Sequence, residues 1–210
     1  APYEQFNRRE VDDAFGAPIL GPNFGAVPIP SDLTRWPLAP LLVSEFSDWL
    51  DRFDRSGPFR RPGQLESHRA TIDRRLAVGS GAAAVLDDSF LRSLYKTLQA
   101  WGIGSRESKL RSFEAFSKDL ARHQKVIAVL DSVAIDDQGL QVRIVGEQLW
   151  NLLEGLNIVD NKAKLVSGSK ALHHVLPNLV VPMDRQYTQV FFGWQNPTFQ
   201  YGQRECITDA

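Results

Sequence analysis

The chain has 210 residues, of which 43% are hydrophobic, 10% aromatic and 23% charged, and its formal net charge at pH 7 is −1. These values are typical of a globular domain with a substantial core, and they exclude both a disordered chain and a global attraction to phosphate backbones or anionic membranes. The single cysteine, Cys206, excludes an internal disulfide and a thiolate metal site.

The distribution of apolar residues argues against a membrane partner. No apolar run approaches the roughly 20 residues that a membrane-spanning helix needs. Residues 1–10 are polar and lack the apolar segment of a signal peptide. We therefore expect a cytoplasmic protein.

The N-terminal segment is rich in proline, with seven of the twelve prolines in residues 1–40. Proline fixes φ and lacks the N–H group that helices and central strands use. We expect residues 1–40 to form an extended arm that packs on a single helical domain, residues 41–210.

Helices are predicted along the first half of that domain. Apolar spacings of three and four indicate a helix over residues 41–53, ended by Gly57-Pro58. A second helix is expected over residues 64–77. A third, over about residues 82–101, follows the Gly-Ser-Gly break at residues 79–81.

The second half continues the helical pattern. Ser105 is the predicted N-cap of a helix whose buried face carries Leu110, Phe113, Phe116 and Leu120. A further helix is expected over residues 126–133, and another over residues 140–156, where apolar positions recur at helical spacing. These positions are Ile144, Val145, Leu149, Trp150, Leu152, Leu153 and Leu156.

Strand signals are scarce, because only residues 141–145 and 179–181 carry short β-branched runs. With two more helices expected near the C-terminus, the sequence predicts a mainly α fold of about eight helices.

Basic residues are concentrated in residues 92–125, where eight lysines and arginines stand against three acidic residues. Such clusters are typical of solvated helix faces, and the alternative is a face that binds phosphates. A solvated helix face needs no ligand, whereas a phosphate-binding face would make DNA a partner.

The stretch from residue 167 to 192 carries the candidate chemistry. A predicted helix ends before Pro177, and it either begins near Gly168 or starts near Asn161 and is interrupted by Gly168. Lys170 lies three and four residues before His173 and His174, so the amine shares a helix face with at least one imidazole. A protonated imidazole beside a lysine lowers the lysine pKa, and this favours a nucleophilic amine.

An apolar extended segment then leads to Asp184, the predicted N-cap of a last helix over residues 185–192. Arg185 and Tyr187 add a cation able to bind phosphate and an aromatic hydroxyl. Each of these residues also has a purely structural interpretation. Asp184 would then be only a cap, Arg185 a surface ion-pair partner and Tyr187 a rim aromatic.

This order of features resembles the helix-hairpin-helix DNA glycosylase superfamily, especially its archaeal 8-oxoguanine branch. A lysine early in a helix is followed by a proline-bounded link and then by Pro182-Met183-Asp184-Arg185. The resemblance implies that Lys170 attacks the sugar C1′ and that Asp184 assists. The family hairpin L-P-G-x-G corresponds to residues 165–169, LVSGS, which lack its proline and one glycine. The string SKALHHVLPNLVVPMDRQYT also resembles a group of microbial and fungal proteins of unassigned function.

Three functional hypotheses follow. The first is a DNA glycosylase or lyase that acts through Lys170 and Asp184, with His173, His174, Arg185 and Tyr187 as binding residues. The second is a non-catalytic helical protein that binds nucleic acid or protein. The third is metal-dependent hydrolysis that uses His173, His174 and Asp184, with His123 as a further candidate ligand.

We expect neither a metal nor an organic cofactor. Adjacent helical histidines diverge by about 100° and seldom ligate one ion. The glycines at residues 79–81 and 102–104 match no nucleotide-binding fingerprint. Oligomeric state is left open by the sequence.

Overall fold

A computed structural model describes residues 45–56, 59, 61–104, 109–160 and 164–184, and these residues contain eight α-helices and no strand. The predicted mainly α fold is confirmed. The helices are α1 (Phe46–Ser56), α2 (Gln64–Val78), α3 (Gly81–Ala84), α4 (Asp88–Ala100), α5 (Phe113–Arg122), α6 (Gln124–Leu130), α7 (Val142–Gly155) and α8 (Lys164–Val175). None of the helices in the described ranges is long and apolar enough to cross a membrane.

The described residues belong to two compact units. Helix α1 belongs to the first, and residues 61–184 belong to the second, which contains the candidate site. The predicted N-terminal arm, residues 1–40, lies outside the described residues.

Within the second unit, α8 packs against three helices, α2, α4 and α7. Its buried face carries Leu172 and Val175, both fully buried. The largest helix contact joins α2 to α4, across which Thr71 and Thr97 share a hydrogen bond of 2.8 Å. Helix α8 is therefore fixed to the core along its length.

An ion pair also fixes the C-terminal end of α8. Arg75 on α2 donates from Nε to the carbonyl of Val175 at 2.8 Å, and its guanidinium lies 2.5 Å from Asp131. Asp131 in turn accepts the backbone N–H of Gly81 at 2.8 Å. Through Asp131, the buried Arg75 thus joins α2 and the C-terminal end of α8 to the start of α3 and the end of α6.

The structure corrects the predicted helix over residues 82–101. It is divided into α3 and α4, because Asp87 leaves the helical conformation and its carboxylate accepts the N–H of Phe90 at 2.6 Å. The apolar period runs on across this break, since Leu91, Leu94 and Leu98 are buried on α4.

The start of the next helix was also predicted wrongly. Helix α5 begins after Ser112, whose Oγ accepts the N–H of Ala115 at 3.3 Å. Leu110 precedes the helix and forms an isolated antiparallel bridge with Val159. Phe116 and Leu120 are fully buried as expected, and the predicted cap, Ser105, lies outside the described residues.

Two further expectations on α7 and α8 need correction. Residues 142–145 are helical despite their β-branched run, and Ile144 is exposed rather than buried. Gly168 neither starts nor interrupts a helix, because α8 runs through it from Lys164.

Candidate active site

The structure brings together the two predicted catalytic residues, Lys170 and Asp184. Nζ of Lys170 lies 3.8 Å from Oδ2 of Asp184. The lysine side chain is only 15% exposed, whereas the side chain of Asp184 is 48% exposed. A largely buried lysine side chain therefore faces an aspartate that solvent can reach.

Residues 177–184, here called the link, carry Asp184 to this position. After Leu176 the chain turns at residues 177–179, and residues 180–184 run back along α8 without regular secondary structure. Nδ1 of His173 lies 2.9 Å from the carbonyl of Val180, and the N–H of Met183 donates to Oγ of Ser169 at 3.0 Å. Asp184 comes directly after the second of these contacts.

Three histidines and a tryptophan pack together beside this pair. His68 of α2 stacks on His173 with centroids 5.9 Å apart and an interplanar angle of 11°. The ring of Trp101 lies 5.4 Å from His68 and 5.0 Å from His174. We call His68, Trp101, His173 and His174 the histidine cluster.

Carbonyl groups determine the tautomers of the cluster. Nδ1 of His174 lies 2.8 Å from the carbonyl of Lys170, and a carbonyl only accepts, so this nitrogen carries the hydrogen. Nε2 of neutral His174 then accepts a hydrogen bond of 3.0 Å from Nδ1–H of His68. His173 likewise donates from Nδ1 to Val180. All three rings are Nδ1–H tautomers.

Burial keeps these rings neutral. Burial lowers the pKa of His174 to about 3 and the pKa of His68 to about 4, and the neighbouring His173 lowers the pKa of His68 further. Burial also lowers the pKa of His173. The sequence made activation of Lys170 by these histidines conditional on a protonated imidazole, and the buried rings are neutral near neutral pH.

The segment that corresponds to the family hairpin, residues 165–169, is helical rather than a hairpin. Gly168 serves packing here, because a Cβ at this position would stand 2.6 Å from Cδ2 of Leu153 on α7. The resemblance to the helix-hairpin-helix motif is thus limited to the order of Lys170 and Asp184.

Part of the predicted basic cluster is neutralised by acidic residues. Three of its arginines form ion pairs, and two of the acidic partners lie outside residues 92–125. The pairs are Arg92 with Asp88, Arg111 with Asp160 and Arg122 with Asp119. Among the described residues of the cluster, Lys96, Lys118 and Lys125 are exposed.

The residues proposed for a metal site are not arranged around one point. Among the described residues, no group of three or more histidine, cysteine, aspartate or glutamate side chains could hold a metal ion. Nε2 of His123 accepts from Nε–H of Arg122 at 3.2 Å, and its ring lies against Gly155. His123 therefore joins α5 to α7.

Sequence reasoning missed three residues that define this region, His68, Trp101 and Ser169. His68 and His174 are 106 residues apart in sequence, and no local pattern signals their contact. The predicted binding residues Arg185 and Tyr187 lie outside the described residues, as does the predicted last helix.

Comparisons of the chain with protein-family models, curated proteins and solved structures found no match. Function is therefore inferred from the geometry of Lys170, Asp184 and the side chains around them.

Proposed function

We propose that this protein is a DNA-repair glycosylase or lyase that acts on a flipped base or an abasic site, with Lys170 as the nucleophile and Asp184 as the assisting carboxylate. The observation that carries the proposal is the 3.8 Å approach of Lys170 Nζ to Asp184 Oδ2, with the lysine side chain only 15% exposed. A nucleophile and a proton acceptor within reach of each other are the minimum that such chemistry needs.

The chemistry at an abasic site would proceed through a Schiff base. The neutral Lys170 amine attacks the C1′ aldehyde of the opened sugar, and the ammonium proton passes first to Asp184 or to water. Loss of water from the adduct forms the iminium bond between Nζ and C1′. In a glycosylase step the same amine would displace the base, so that the C1′–N bond to the base breaks as the bond to Nζ forms.

The surroundings of Lys170 support attack by the lysine amine on a sugar rather than hydrolysis by a metal-bound water. The histidine cluster, with its neutral rings and an indole, is joined to Lys170 through the hydrogen bond from His174 Nδ1 to the Lys170 carbonyl, and base-flipping enzymes hold their target between aromatic and apolar side chains. A cytoplasmic location is part of the proposal, since the chain has one cysteine and needs no oxidising compartment.

Borohydride trapping tests the proposal. The protein is incubated with duplexes that contain an abasic site or 8-oxoguanine, and borohydride reduces any iminium to a stable amine. We expect a covalent complex with the unaltered chain and none with Lys170→Ala or Lys170→Arg. The arginine variant keeps a cation beside Asp184 but cannot form a Schiff base.

Lys118→Ala is the matched control, because it removes an exposed lysine of α5 from the same protein. It should trap as the unaltered chain does. Absence of trapping with either DNA would contradict the lyase activity, and trapping by Lys170→Ala would assign it to another lysine.

Non-catalytic binding of nucleic acid or protein is the second candidate, and the exposed lysines on α4, α5 and α6 favour it. A binding titration with undamaged DNA over a range of salt concentrations separates the two functions. Phosphate contacts require affinity to fall steeply as salt rises, and a flat response would exclude nucleic acid as the partner.

A further inference from the structure

We infer that Ser169 and His173 are positioning residues that set the approach of Asp184 to Lys170 by holding the main chain of the link against α8. This inference rests on the proposed function for its chemical meaning. Its structural part stands on two hydrogen bonds to the link, neither of which involves the reacting groups.

Both bonds run between a side chain of α8 and a main-chain atom of the link. Nδ1–H of His173 donates to the carbonyl of Val180 at 2.9 Å, and Oγ of Ser169 accepts the N–H of Met183 at 3.0 Å. Ser169 and His173 are four residues apart, so they lie on one face of α8, one turn apart. They hold the link at Val180 and at Met183.

The spacing of the two bonds defines where Asp184 falls. From Ser169 to His173 the helix rises by about 6 Å, whereas three extended residues from Val180 to Met183 can span up to roughly 10 Å. The link therefore reaches both anchors without being fully stretched. One residue beyond the second anchor, Asp184 lies beside Lys170, the neighbour of Ser169 on the helix.

Both anchors are themselves held in place. Ser169 is 1% exposed, and its hydroxyl donates to the carbonyl of Val166 at 3.2 Å, which leaves a lone pair directed to Met183. The ring of His173 is stacked on His68. Leu179 and Val180 are buried, and the carbonyl of Asn178 accepts the N–H of Ile135 at 2.9 Å. The first part of the link, residues 178 and 179, is thus held in place independently of its hydrogen bonds to Ser169 and His173.

Lysine labelling with an amine-reactive ester, followed by mass spectrometry, tests this inference without DNA. Lys170 is largely covered, whereas Lys118 is exposed and reports the reactivity of a free amine in the same sample. Lys164, on the same helix, donates to the carbonyl of Glu154 and to Asn157, so it reports whether α8 remains docked on α7.

Ser169→Ala, His173→Leu and Asp184→Ala should each accelerate the labelling of Lys170 by about threefold or more, while Lys118 and Lys164 keep their rates. His173→Asn should label as the unaltered chain does, because an asparagine amide can donate where Nδ1 of histidine donates. Ser117→Ala is the control for loss of a buried serine hydroxyl on another helix.

The inference is overturned if Ser169→Ala and His173→Leu leave Lys170 as slow as in the unaltered chain while Asp184→Ala accelerates it. It is also overturned if Lys164 accelerates together with Lys170, since that result means loss of the helix rather than of the link. His173→Leu and Ser169→Ala are independent, so failure of one variant to fold leaves the other to decide.

A second readout connects the anchors to the proposed chemistry. If borohydride traps DNA on Lys170, Ser169→Ala should slow trapping by about tenfold or more, because a displacement of about 1 Å at a reacting pair is costly. His173→Asn should restore the rate that His173→Leu loses. If the unaltered chain traps no DNA, the proposed function fails while the labelling result still decides the role of the anchors.

Discussion

His68 and His174 are joined by a hydrogen bond of 3.0 Å that requires His174 to be neutral. Nδ1–H of His174 is already directed to the carbonyl of Lys170, so only an unprotonated Nε2 can accept from His68. Protonation of His174 would place two N–H donors opposite each other. The contact between α2 and α8 at this point is therefore sensitive to acid.

Stability should fall as the pH is lowered through the range in which unfolded histidine titrates. The unfolded chain takes up protons near pH 6.5, whereas the folded pKa values of His68 and His174 are about 4 and about 3. The stabilisation is thus complete above about pH 6.5 and is lost as the pH falls towards the folded values. At about pH 5, His174 alone should account for a loss of about 2 kcal/mol.

Denaturant unfolding between about pH 7.5 and about pH 5 measures this effect. His174→Gln keeps an acceptor for His68 but does not titrate, so its free energy of unfolding should depend less on pH. His123→Gln removes a histidine outside the cluster and should leave the steep loss intact. Equal slopes for His174→Gln and the unaltered chain would refute the assignment to this pair.

Arg75→Met should destabilise the protein by about 3 kcal/mol, because it leaves Asp131 and the carbonyl of Val175 without their buried cation. The neighbouring Arg74 provides the control. Its ion pair with Asp87 is exposed and screened by solvent, so Arg74→Met should cost much less than Arg75→Met. The free energies of unfolding of the two variants make the comparison, and similar losses would show that Arg75 is not a structural anchor.

Gly168→Ala and Gly146→Ala should shift stability in opposite directions. Both glycines lie within helices, where alanine is favoured by up to about 1 kcal/mol. A Cβ at Gly146 meets nothing within 4 Å, so this variant should be more stable by roughly 0.5–1 kcal/mol. A Cβ at Gly168 would meet Leu153 at 2.6 Å, and we expect a net loss of about 1 kcal/mol.

Thermal unfolding of the two variants and of Gly168→Ala combined with Leu153→Val provides the measurement. The shorter valine makes room at the crossing of α7 and α8, so the double variant should be less destabilised than the sum of its parts. Additive losses would mean that a Cβ at residue 168 and the side chain of Leu153 do not interfere with each other.

Asp87→Ala should cost about 1 kcal/mol through loss of the cap on α4. Asp88→Ala is the matched control, because it removes an exposed ion pair with Arg92 and should cost less than about 0.5 kcal/mol. Equilibrium unfolding ranks the two. If Asp88→Ala proves the more harmful, the division between α3 and α4 does not depend on the cap.

The positions of two main helices could be predicted from the sequence, and for residues 140–156 the prediction came from their apolar period. The helix expected over residues 64–77 is Gln64–Val78, and the one expected over residues 140–156 is Val142–Gly155. The errors lie where a short polar side chain competes with that period. Asp87 and Ser112 each accept a backbone N–H and so decide where a helix begins, although apolar residues continue on both sides.

The candidate site was predictable only in its local part. Lys170 and Asp184 are joined by a short link bounded by prolines, so their meeting follows from one chain reversal. The contact of His68 with His174 depends on how α2 packs on α8, which no local signal encodes. The same limit applies to the basic cluster, because Arg111 is paired with Asp160 from a distant part of the sequence.

The anchoring of the link through main-chain atoms has a consequence for the substitutions that this stretch can accept. A carbonyl at residue 180 is provided by any amino acid, and an amide N–H at residue 183 by any except proline. The exposed Val181 and the side chain of Met183 should therefore be freely exchangeable in a saturation library, whereas proline at 183 should be eliminated. Selection would then preserve the side chains of Ser169 and His173 on α8, whereas in the link it would preserve only the main-chain groups that these two residues hold.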